Sequence, residues 1–332
     1  MTEQLSGPRV RSHPSALHER YVRMVRAAGA EGRFIRAGSA RVHVIEAGDG
    51  PVTVHLHANN TSSLSHLMLL EHLTAVRSVL VDRPGFGLSE PVDVPRASFR
   101  DTAVRFVDEV LDSLRVDSAV LVGASGGGSW AVWYALARPE RVRGLVLLGS
   151  VPLMPGSRIP VPIRLLATPV VGTLLSRTVR PNRRMVSRLM SSMGEGETIR
   201  RHPDLLDSLV DAARDPLAVA ANGAEFRALL SPIGPRPAAR IRADDLRRLA
   251  VPTLMVGGTH DPVLPVTQAR AVAALIPDAR LELLPAGHVP QLGNPQRVAA
   301  LVERFTLSVA HPTDRDVVAR LDDRLLRKET HG

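Results

Sequence analysis

The sequence predicts an α/β fold in which a mostly parallel sheet is flanked by helices. Apolar runs of four to six residues recur along the chain, and such runs are typical of strands that are buried on both faces. Helical patterns separate the runs, and strands that alternate with helices of this length favour a parallel sheet. The alternation stops near residue 151 and resumes near residue 251. We therefore expect a helical cap inserted between two late strands.

The expected strands follow one another from residue 33 onwards. RFIRAGSARVHVIEAG (33–48) is interpreted as a β-hairpin that turns at Gly38 and Ser39, because glycine tolerates the positive φ of tight turns. Six further strands are expected in VTVHLHA (52–58), RSVLVDRP (77–84), SAVLVGAS (118–125), RGLVLLGS (143–150), PTLMVGG (252–258) and RLELLPAG (280–287). Helical patterns cover HERYVRMVRAAG (18–29), SFRDTAVRFVDEVLDSLRV (98–116), GSWAVWYALARP (128–139), VTQARAVAALIP (266–277) and NPQRVAALVERF (294–305).

These elements divide the chain into four parts. Residues 1–32 form an N-terminal arm with a short amphipathic helix, and residues 33–150 together with 251–310 form the α/β core. Residues 151–250 are rich in proline and arginine and are expected to form the helical cap, or lid. The tail over 311–332 has a pattern that can form an amphipathic helix.

Composition excludes several classes of protein. The 332 residues include no cysteine, which rules out disulfides and cysteine–zinc sites, and the first residues have no apolar stretch typical of a signal peptide. The longest apolar region, 160–176, is interrupted by Arg164 and three prolines and is not expected to span a membrane. We therefore expect a cytoplasmic protein without stable membrane insertion.

The net charge of +9 comes almost entirely from arginine, since Lys328 is the only lysine. Aromatic residues make up 3% of the chain, so the stacking platforms that nucleic acids need are scarce, and no nucleic-acid partner is expected. Residues 151–250 contain sixteen arginines and nine acidic residues. This excess indicates a solvated basic face or, alternatively, a face for an anionic substrate or a membrane surface.

The glycine cluster in LVGASGGGSW (121–130) does not fit a phosphate site. A P-loop needs a lysine after its glycines, and none follows here. Gly126, Gly128 and Ala131 satisfy the dinucleotide pattern G-x-G-x-x-A, but that fold requires an acidic residue at the end of the next strand. The next strand ends in Gly149 and Ser150. We therefore expect no bound cofactor at these glycines.

The same cluster fits a nucleophile. Gly123–Gly127 is G-x-S-x-G between an expected strand and an expected helix, which puts Ser125 on a sharp turn. Asp261 follows the strand PTLMVGG, and His288 follows the strand RLELLPAG. The carboxyl ends of parallel strands converge, so the three side chains are expected to meet. A serine hydroxyl needs a histidine to take its proton and a carboxylate to orient that histidine. The catalytic candidates are Ser125, His288 and Asp261.

The chain resembles the α/β-hydrolase superfamily over roughly residues 33–150 and 250–308. The resemblance rests on the order Ser125, Asp261, His288 and on three segments: HLHANNTSS (55–63), DRPGFGLSEP (82–91) and GHVPQLGNPQRV (287–298). It implies an α/β-hydrolase fold with an oxyanion hole made by the N–H groups of Asn59 and Gly126. The oxyanion loop departs from the family's His-Gly-x-Pro at two positions, where this chain has Ala58 and Asn60.

The resemblance implies a cofactor-free, metal-free serine hydrolase that cleaves an ester-type bond of a small, largely apolar substrate through an acyl-enzyme. The related haloalkane dehalogenases and epoxide hydrolases use an aspartate nucleophile, whereas this chain has Ser125. Two alternatives stay open. The same triad could serve acyl transfer, cyclisation or C–C bond hydrolysis, or the chain could be a non-catalytic hydrolase-like protein whose cap binds an anionic partner.

Three other features are interpreted as structural. His55 and His57 resemble the H-x-H pair of zinc enzymes, but Asn59 replaces the acidic residue that such a site needs. His57 is expected to pack behind the oxyanion loop. Asp82 and Arg83 are expected to form a structural pair in a tight turn.

Overall fold

The computed structural model describes residues 16–93, 99–168, 172, 174 and 178–310. Its strands are β1 (Glu31–Ala37), β2 (Ala40–Ala47), β3 (Val52–Leu56), β4 (Arg77–Val81), β5 (Ala119–Ala124), β6 (Val142–Leu148), β7 (Leu230–Ser231), β8 (Gly234–Pro235), β9 (Thr253–Gly258) and β10 (Ala279–Leu284). Its helices are α1 (Ala16–Ala27), α2 (Leu67–Leu70), α3 (Phe99–Ser113), α4 (Gly126–Ala137), α5 (Val161–Leu166), α6 (Arg183–Ser192), α7 (Gly196–Arg201), α8 (Pro203–Arg214), α9 (Pro216–Leu229), α10 (Ala243–Arg247), α11 (Val266–Ala273), α12 (Pro290–Gly293) and α13 (Pro295–Ala310).

The central sheet has eight strands in the order β1-β2-β4-β3-β5-β6-β9-β10. Only the β1–β2 and β2–β4 pairs are antiparallel. The strands from β4 to β10 in this order pair in parallel, so the carboxyl ends of β5, β6, β9 and β10 lie along one edge. The expected fold class, a mostly parallel sheet flanked by helices, is confirmed.

Helices cover both faces of the sheet, which explains its apolar strands. One buried cluster joins the sheet to α3 and α4 through side chains such as Phe106 and Trp133. A second cluster on the other face joins it to α1, α2 and α13 through Tyr21, Leu69 and Phe305. All six residues of β5 are buried, as the run without alternation predicts.

A helical region lies between β6 and β9, which are neighbours in the sheet. It contains α5 to α10 and a two-stranded hairpin, β7–β8, that the sequence analysis did not predict. Each strand of this hairpin has only two residues, which is too few for an alternating pattern that predicts a strand. The expected helix of the N-terminal arm is α1, whereas the tail over 311–332 lies outside the described residues. In the part of the chain that is described, no helix has the length and apolar character needed to cross a membrane.

Candidate active site

Ser125 occupies a strained turn between β5 and α4. Its backbone has φ 48° and ψ −113°, a conformation that costs about 1–3 kcal/mol for a residue with a side chain. The glycines of G-x-S-x-G make the turn possible by close packing. A Cβ on Gly123 would lie 2.6 Å from the Cα of Gly128, and a Cβ on Gly127 would collide with the carbonyl of Leu56. The pattern in the sequence is therefore the signature of this turn.

The three expected catalytic side chains form one hydrogen-bonded chain. The Oγ of Ser125 lies 2.8 Å from Nε2 of His288. Nδ1 of His288 lies 3.1 Å from both carboxylate oxygens of Asp261. All three residues are buried, with 6–7% of their surface exposed. This arrangement can carry a proton from the hydroxyl to the imidazole while the carboxylate holds the ring.

The surroundings of Asp261 keep it ionised. Burial alone would raise the pKa of its carboxyl group, but the hydrogen bond and charge of His288, with the N–H of Val263 and the hydroxyl of Ser150, hold the pKa below its usual value. The N–H of Val263 donates at 2.8 Å and that of Ser150 at 3.1 Å. The carboxylate is therefore fixed in position and charged near neutral pH.

Ser150 is a contact of the histidine that the sequence analysis missed. Its Oγ lies 3.0 Å from Nδ1 of His288, on the same side of the ring as Asp261. Ser150 lies two residues after the end of β6, and Asp261 lies three residues after the end of β9, the neighbouring strand. The strand order could have found it, since the residues that follow neighbouring parallel strands meet at one edge.

The oxyanion loop follows β3 and lies beside the start of α4. Asn60 has φ 57°, a left-handed conformation that asparagine tolerates and that the ring of proline forbids. The absence of the family's proline at this position therefore has a steric reason. The side-chain oxygen of Asn59 lies against Gly126, which begins α4. The first N–H groups of a helix have no carbonyl partner within it, so the N–H of Gly126 is available to an oxyanion.

The cap holds the oxyanion loop through Asn222 of α9. The amide of Asn222 donates to Oδ1 of Asn60 at 2.7 Å and accepts from Nδ2 of Asn59 at 3.4 Å. Both asparagines of the loop are thus bonded to one side chain from a distant part of the chain. No local pattern marks Asn222, and the sequence analysis missed it.

His57 packs behind the oxyanion loop, as expected. Its Nε2 accepts the N–H of Arg83 at 3.0 Å, so the proton is on Nδ1, which donates to the carbonyl of Ala58 at 2.7 Å. Burial, with the nearby charge of Arg83, lowers the pKa of His57 to about 3. The ring is therefore a neutral structural link between the loop after β3 and the turn after β4.

The expected pairing of Asp82 with Arg83 is not what the structure contains, because the two side chains have different partners. Asp82 accepts from the hydroxyl of Tyr21 and the N–H of Ser63, each at 2.8 Å. Nη1 of Arg83 donates to both oxygens of Glu225 in α9 at 2.9 Å. Arg83 and Glu225 are almost fully buried, so this ion pair fastens the cap to the core.

A second attachment of the cap lies at the loop of His288. The N–H of His288 donates to the carbonyl of Met193 at 2.8 Å, and the N–H of Val289 donates to Oε1 of Glu195 at 3.1 Å. A Cβ on Gly194 would lie 2.7 Å from the Cα of Gly287, so the two backbones are in direct contact. Burial raises the pKa of Glu195, while its hydrogen bonds and the nearby His288 oppose that rise. Glu195 was not predicted from the sequence, because no motif near it in the chain indicates a functional carboxylate.

A cavity of about 140 Å³ lies beside Ser125 and His288. The core supplies most of its polar groups, among them Asn59 and Thr61, whereas the cap supplies apolar side chains. These are Pro152, Leu153, Ile159, Pro160, Ile163, Leu189, Met190, Met193, Phe226, Leu229 and Leu230. Among the described residues that line the cavity there is no arginine, lysine, aspartate or glutamate.

The first histidine of the H-x-H pair bonds to other side chains. Nδ1 of His55 lies 3.3 Å from Nδ1 of His66, and Nε2 of His55 lies 3.0 Å from the hydroxyl of Thr53. Within the described ranges, no group of three or more His, Cys, Asp or Glu residues has an arrangement that could hold a metal ion. His55 and His66 are thus a buried polar pair.

The chain is similar to several proteins of known class. It is 27% identical over 281 residues to 2-hydroxymuconate semialdehyde hydrolase of Pseudomonas putida, covering 82% of this chain and 93% of that protein. It is 28% identical over 299 residues to haloalkane dehalogenase 2 of Mycobacterium tuberculosis, covering 83% and 95%.

Solved structures share the fold. The 2-hydroxy-6-oxo-6-phenylhexa-2,4-dienoate hydrolase of Rhodococcus sp. strain RHA1 superposes with a TM-score of 0.68 at 22% identity, covering 82% of this chain and 97% of that one. A carboxylesterase of Bacillus subtilis gives 0.66 at 22% identity, covering 89% and 96%. The model of the alpha/beta hydrolase family matches residues 53–301, a span that includes the nucleophile turn, the cap and the histidine loop. The chain therefore belongs to the alpha/beta hydrolase family.

Proposed function

We propose that this hydrolase is a cofactor-free serine enzyme that cleaves an ester-type bond of a small, largely apolar substrate. The observation that carries the proposal is the hydrogen-bonded chain from Ser125 through His288 to Asp261 at the end of an apolar cavity. Ser125 is the nucleophile, His288 the general base and Asp261 the residue that orients and stabilises the base.

The first half of the reaction forms an acyl-enzyme. The Oγ of Ser125 attacks the carbonyl carbon, and its proton passes to Nε2 of His288 across the 2.8 Å contact. The carboxylate of Asp261 stabilises the imidazolium. The N–H groups of Gly126 and Asn59 stabilise the oxyanion, an effect worth on the order of 3 kcal/mol per donor. The C–O bond to the leaving alcohol then breaks, and the alcohol takes the proton from His288.

The second half returns the free enzyme. A water molecule gives a proton to Nε2 of His288 and attacks the acyl carbonyl. Collapse of the second tetrahedral intermediate breaks the bond to Ser125, whose oxygen recovers the proton from His288. The acid product leaves with the oxygen and one hydrogen of the water, and the other hydrogen replaces the serine proton that left with the alcohol.

The size and lining of the cavity suggest the acyl group. A dry cavity of about 150 Å³ lined by Leu, Ile and Phe is large enough for benzene. The cavity here is about 140 Å³ and its cap side is apolar. A short aliphatic chain or a single ring therefore fits, with its carbonyl carbon at Ser125 and the rest of the acyl group against Phe226 and Ile163.

C–C bond hydrolysis is the second candidate, because two similar proteins have names that denote it. The Rhodococcus hydrolase is named for a dienoate, which carries a carboxylate. A buried carboxylate needs a cationic or hydrogen-bonding partner. The described cavity residues of this chain supply no cation, so an uncharged ester is the better fit.

Labelling with a fluorophosphonate probe, combined with hydrolysis of p-nitrophenyl butyrate, tests the proposal. We expect the adduct on Ser125, with labelling and turnover lost in Ser125→Ala and in His288→Ala. Ser118→Ala is the matched control, because Ser118 directly precedes β5 whereas Ser125 directly follows it. Turnover by Ser125→Ala at the wild-type rate would exclude this mechanism.

The same assay separates the alternatives. An acyl acceptor such as an added alcohol or amine that takes most of the acyl group would indicate acyl transfer. Faster turnover of a 2-hydroxy-6-oxo-dienoate than of any short ester would indicate C–C hydrolysis. Folded protein that neither reacts with the probe nor turns over either substrate would indicate a non-catalytic binding protein.

A further inference from the structure

Exposed apolar side chains are concentrated on the cap. Eight large apolar side chains in the described part of the chain are exposed, and six of them lie between β6 and β9. Ile233, at the tip of the β7–β8 hairpin, is 91% exposed. Isolated exposed apolar residues are ordinary, whereas a cluster on one element marks an interaction surface.

Helices α5 and α6, which carry four of these side chains, also line the cavity. Leu189 of α6 lines the cavity and is 46% exposed, so the cavity reaches the surface there. Ile163 of α5 also lines it, and Arg164 of the same helix donates to the carbonyl of Pro232, next to Ile233, at 3.3 Å. We define the cap rim as the exposed apolar residues of α5, α6 and the hairpin: Val161, Leu165, Met185, Leu189 and Ile233.

Four of the five cap-rim residues lie in a segment with one sign of charge. Residues 151–194 contain seven arginines and no aspartate or glutamate. Arg184 and Arg188 are exposed on α6, one turn apart, and among the described residues neither has an acidic partner. They are next to Met185 and Leu189 in the chain, so cations and apolar groups share the outer face of this helix.

We propose that the cap rim docks on an anionic lipid surface, from which the cavity takes its apolar ester. Exposed apolar side chains beside unpaired arginines are typical of helices that lie in the interface of a membrane with anionic lipids. A polynucleotide would use the arginines but not the apolar groups. A second copy of the cap is disfavoured, because two such faces would bring arginines together without acids.

The proposal rests on the proposed ester hydrolysis and extends it to the source of the substrate. A small apolar ester partitions into lipid, so its concentration near a docked cap exceeds that in water. The mouth at Leu189 faces the surface to which the cap rim binds, so the ester passes directly into the apolar half of the cavity.

Co-sedimentation with vesicles tests the docking. Full-length protein is mixed with vesicles of phosphatidylglycerol and phosphatidylcholine in equal parts, or with vesicles of phosphatidylcholine alone. We expect binding to the anionic vesicles that weakens as salt rises. Replacing two arginines (Arg184→Gln with Arg188→Gln) should weaken binding by about 30-fold, since each basic residue at such a surface contributes roughly fivefold.

A second variant tests the apolar side chains of the cap rim. Leu165→Ser with Met185→Ser removes exposed side chains that do not line the cavity, and should weaken binding by about tenfold or more. The matched controls make the same types of substitution at exposed positions outside the cap rim. Val22→Ser removes an exposed valine of α1, and Arg270→Gln with Arg280→Gln removes two exposed arginines of the core.

The outcomes separate the docking from the ester hydrolysis. Loss of vesicle binding in the cap variants but not in the controls, with p-nitrophenyl butyrate hydrolysis unchanged, supports the docking. Equal binding to neutral vesicles, equal losses in the controls, or no binding by wild type overturns it while leaving ester hydrolysis intact. Tight binding to RNA that depends on the arginines alone, or a dimer that dissociates in the serine variants, also overturns it. Vesicle binding without turnover of any ester contradicts the proposed function instead.

Discussion

Replacement of Glu195 by glutamine should slow the reaction while leaving the protein folded. Glu195 belongs to the cap, has 1% of its surface exposed and contacts none of the reacting atoms. Its carboxylate accepts the N–H of Val289 at 3.1 Å and the hydroxyl of Thr198 at 2.9 Å. It therefore acts as a positioning residue for His288, which directly precedes Val289.

The expected magnitude follows from these contacts. Hydrogen bonds to a charged group contribute about 1.5–3 kcal/mol each, and glutamine keeps only one acceptor oxygen. The free energy of unfolding should therefore fall by about 1–3 kcal/mol, which leaves the chain folded. A displacement of about 1 Å at a catalytic group costs on the order of 100-fold in rate, so kcat should fall by roughly tenfold to 100-fold. KM should change little, because Glu195 does not line the cavity.

The assay is steady-state hydrolysis of p-nitrophenyl butyrate, with kcat and KM determined separately and the free energy of unfolding measured in urea. A misplaced base lowers kcat and leaves KM unchanged, because Glu195 does not line the cavity. A disturbed cap would change KM as well, since the cap supplies the apolar side of the cavity. Glu197→Gln is the matched control, because Glu197 is two residues away and its side chain is 66% exposed.

Two results would refute the reasoning about Glu195. A wild-type kcat in Glu195→Gln would mean that the cap carboxylate does not position the base. An equal loss in Glu197→Gln would mean that the effect comes from the charge of the cap and not from the buried contacts.

Two further predictions concern the oxyanion loop and acid stability. Asn222→Ala removes the 2.7 Å bond to Asn60, so kcat should fall by about tenfold with the free energy of unfolding lower by about 1 kcal/mol; steady-state kinetics and urea unfolding check this, and an unchanged kcat contradicts it. Burial lowers the pKa of His66 to about 3, whereas the unfolded residue titrates near 6.5. As the pH drops below 6.5, the unfolded chain therefore binds a proton that the folded chain does not bind. The free energy of unfolding should fall by up to about 1.4 kcal/mol per pH unit through His66 alone. His66→Gln should reduce the slope measured in urea titrations at pH 7 and 5 by that amount, while His57, whose pKa is also about 3, keeps its own contribution; an identical slope in the variant would refute the prediction.

The fold and the catalytic candidates could be predicted because their signals are local. Strand β5 is one uninterrupted apolar run, and the turn at Ser125 needs glycines at fixed distances from it. Asp261 and His288 each follow a recognisable strand, so the topology of a parallel sheet is enough to bring them to Ser125.

The residues that support the site could not be predicted, because their partners are distant in the sequence. Asn222 lies 162 residues from Asn60, and Glu195 lies 94 residues from Val289. Both belong to the cap, whose docking on the core follows from tertiary packing. Asp82 shows the same limit, since its bond to the hydroxyl of Tyr21 crosses 61 residues. The adjacent opposite charges of Asp82 and Arg83 suggested a pair. Asp82 instead bonds to Tyr21 of α1, whereas Arg83 bonds to Glu225 of α9.

The buried ion pair of Arg83 and Glu225 divides the cap into two parts with different freedom. Separating the pair would leave a guanidinium and a carboxylate without partners in the interior, at a cost of about 3–5 kcal/mol. Helix α9 therefore stays on the core during the catalytic cycle, and a hinge movement of the whole cap is too costly to admit substrate. Helices α5 and α6 have no such buried ion pair among the described residues, although Met193, directly after α6, is held at the loop of His288. We therefore expect substrate to enter past α5 and the first turns of α6, whose sequence can change the range of substrates while Asn222 keeps the oxyanion loop fixed.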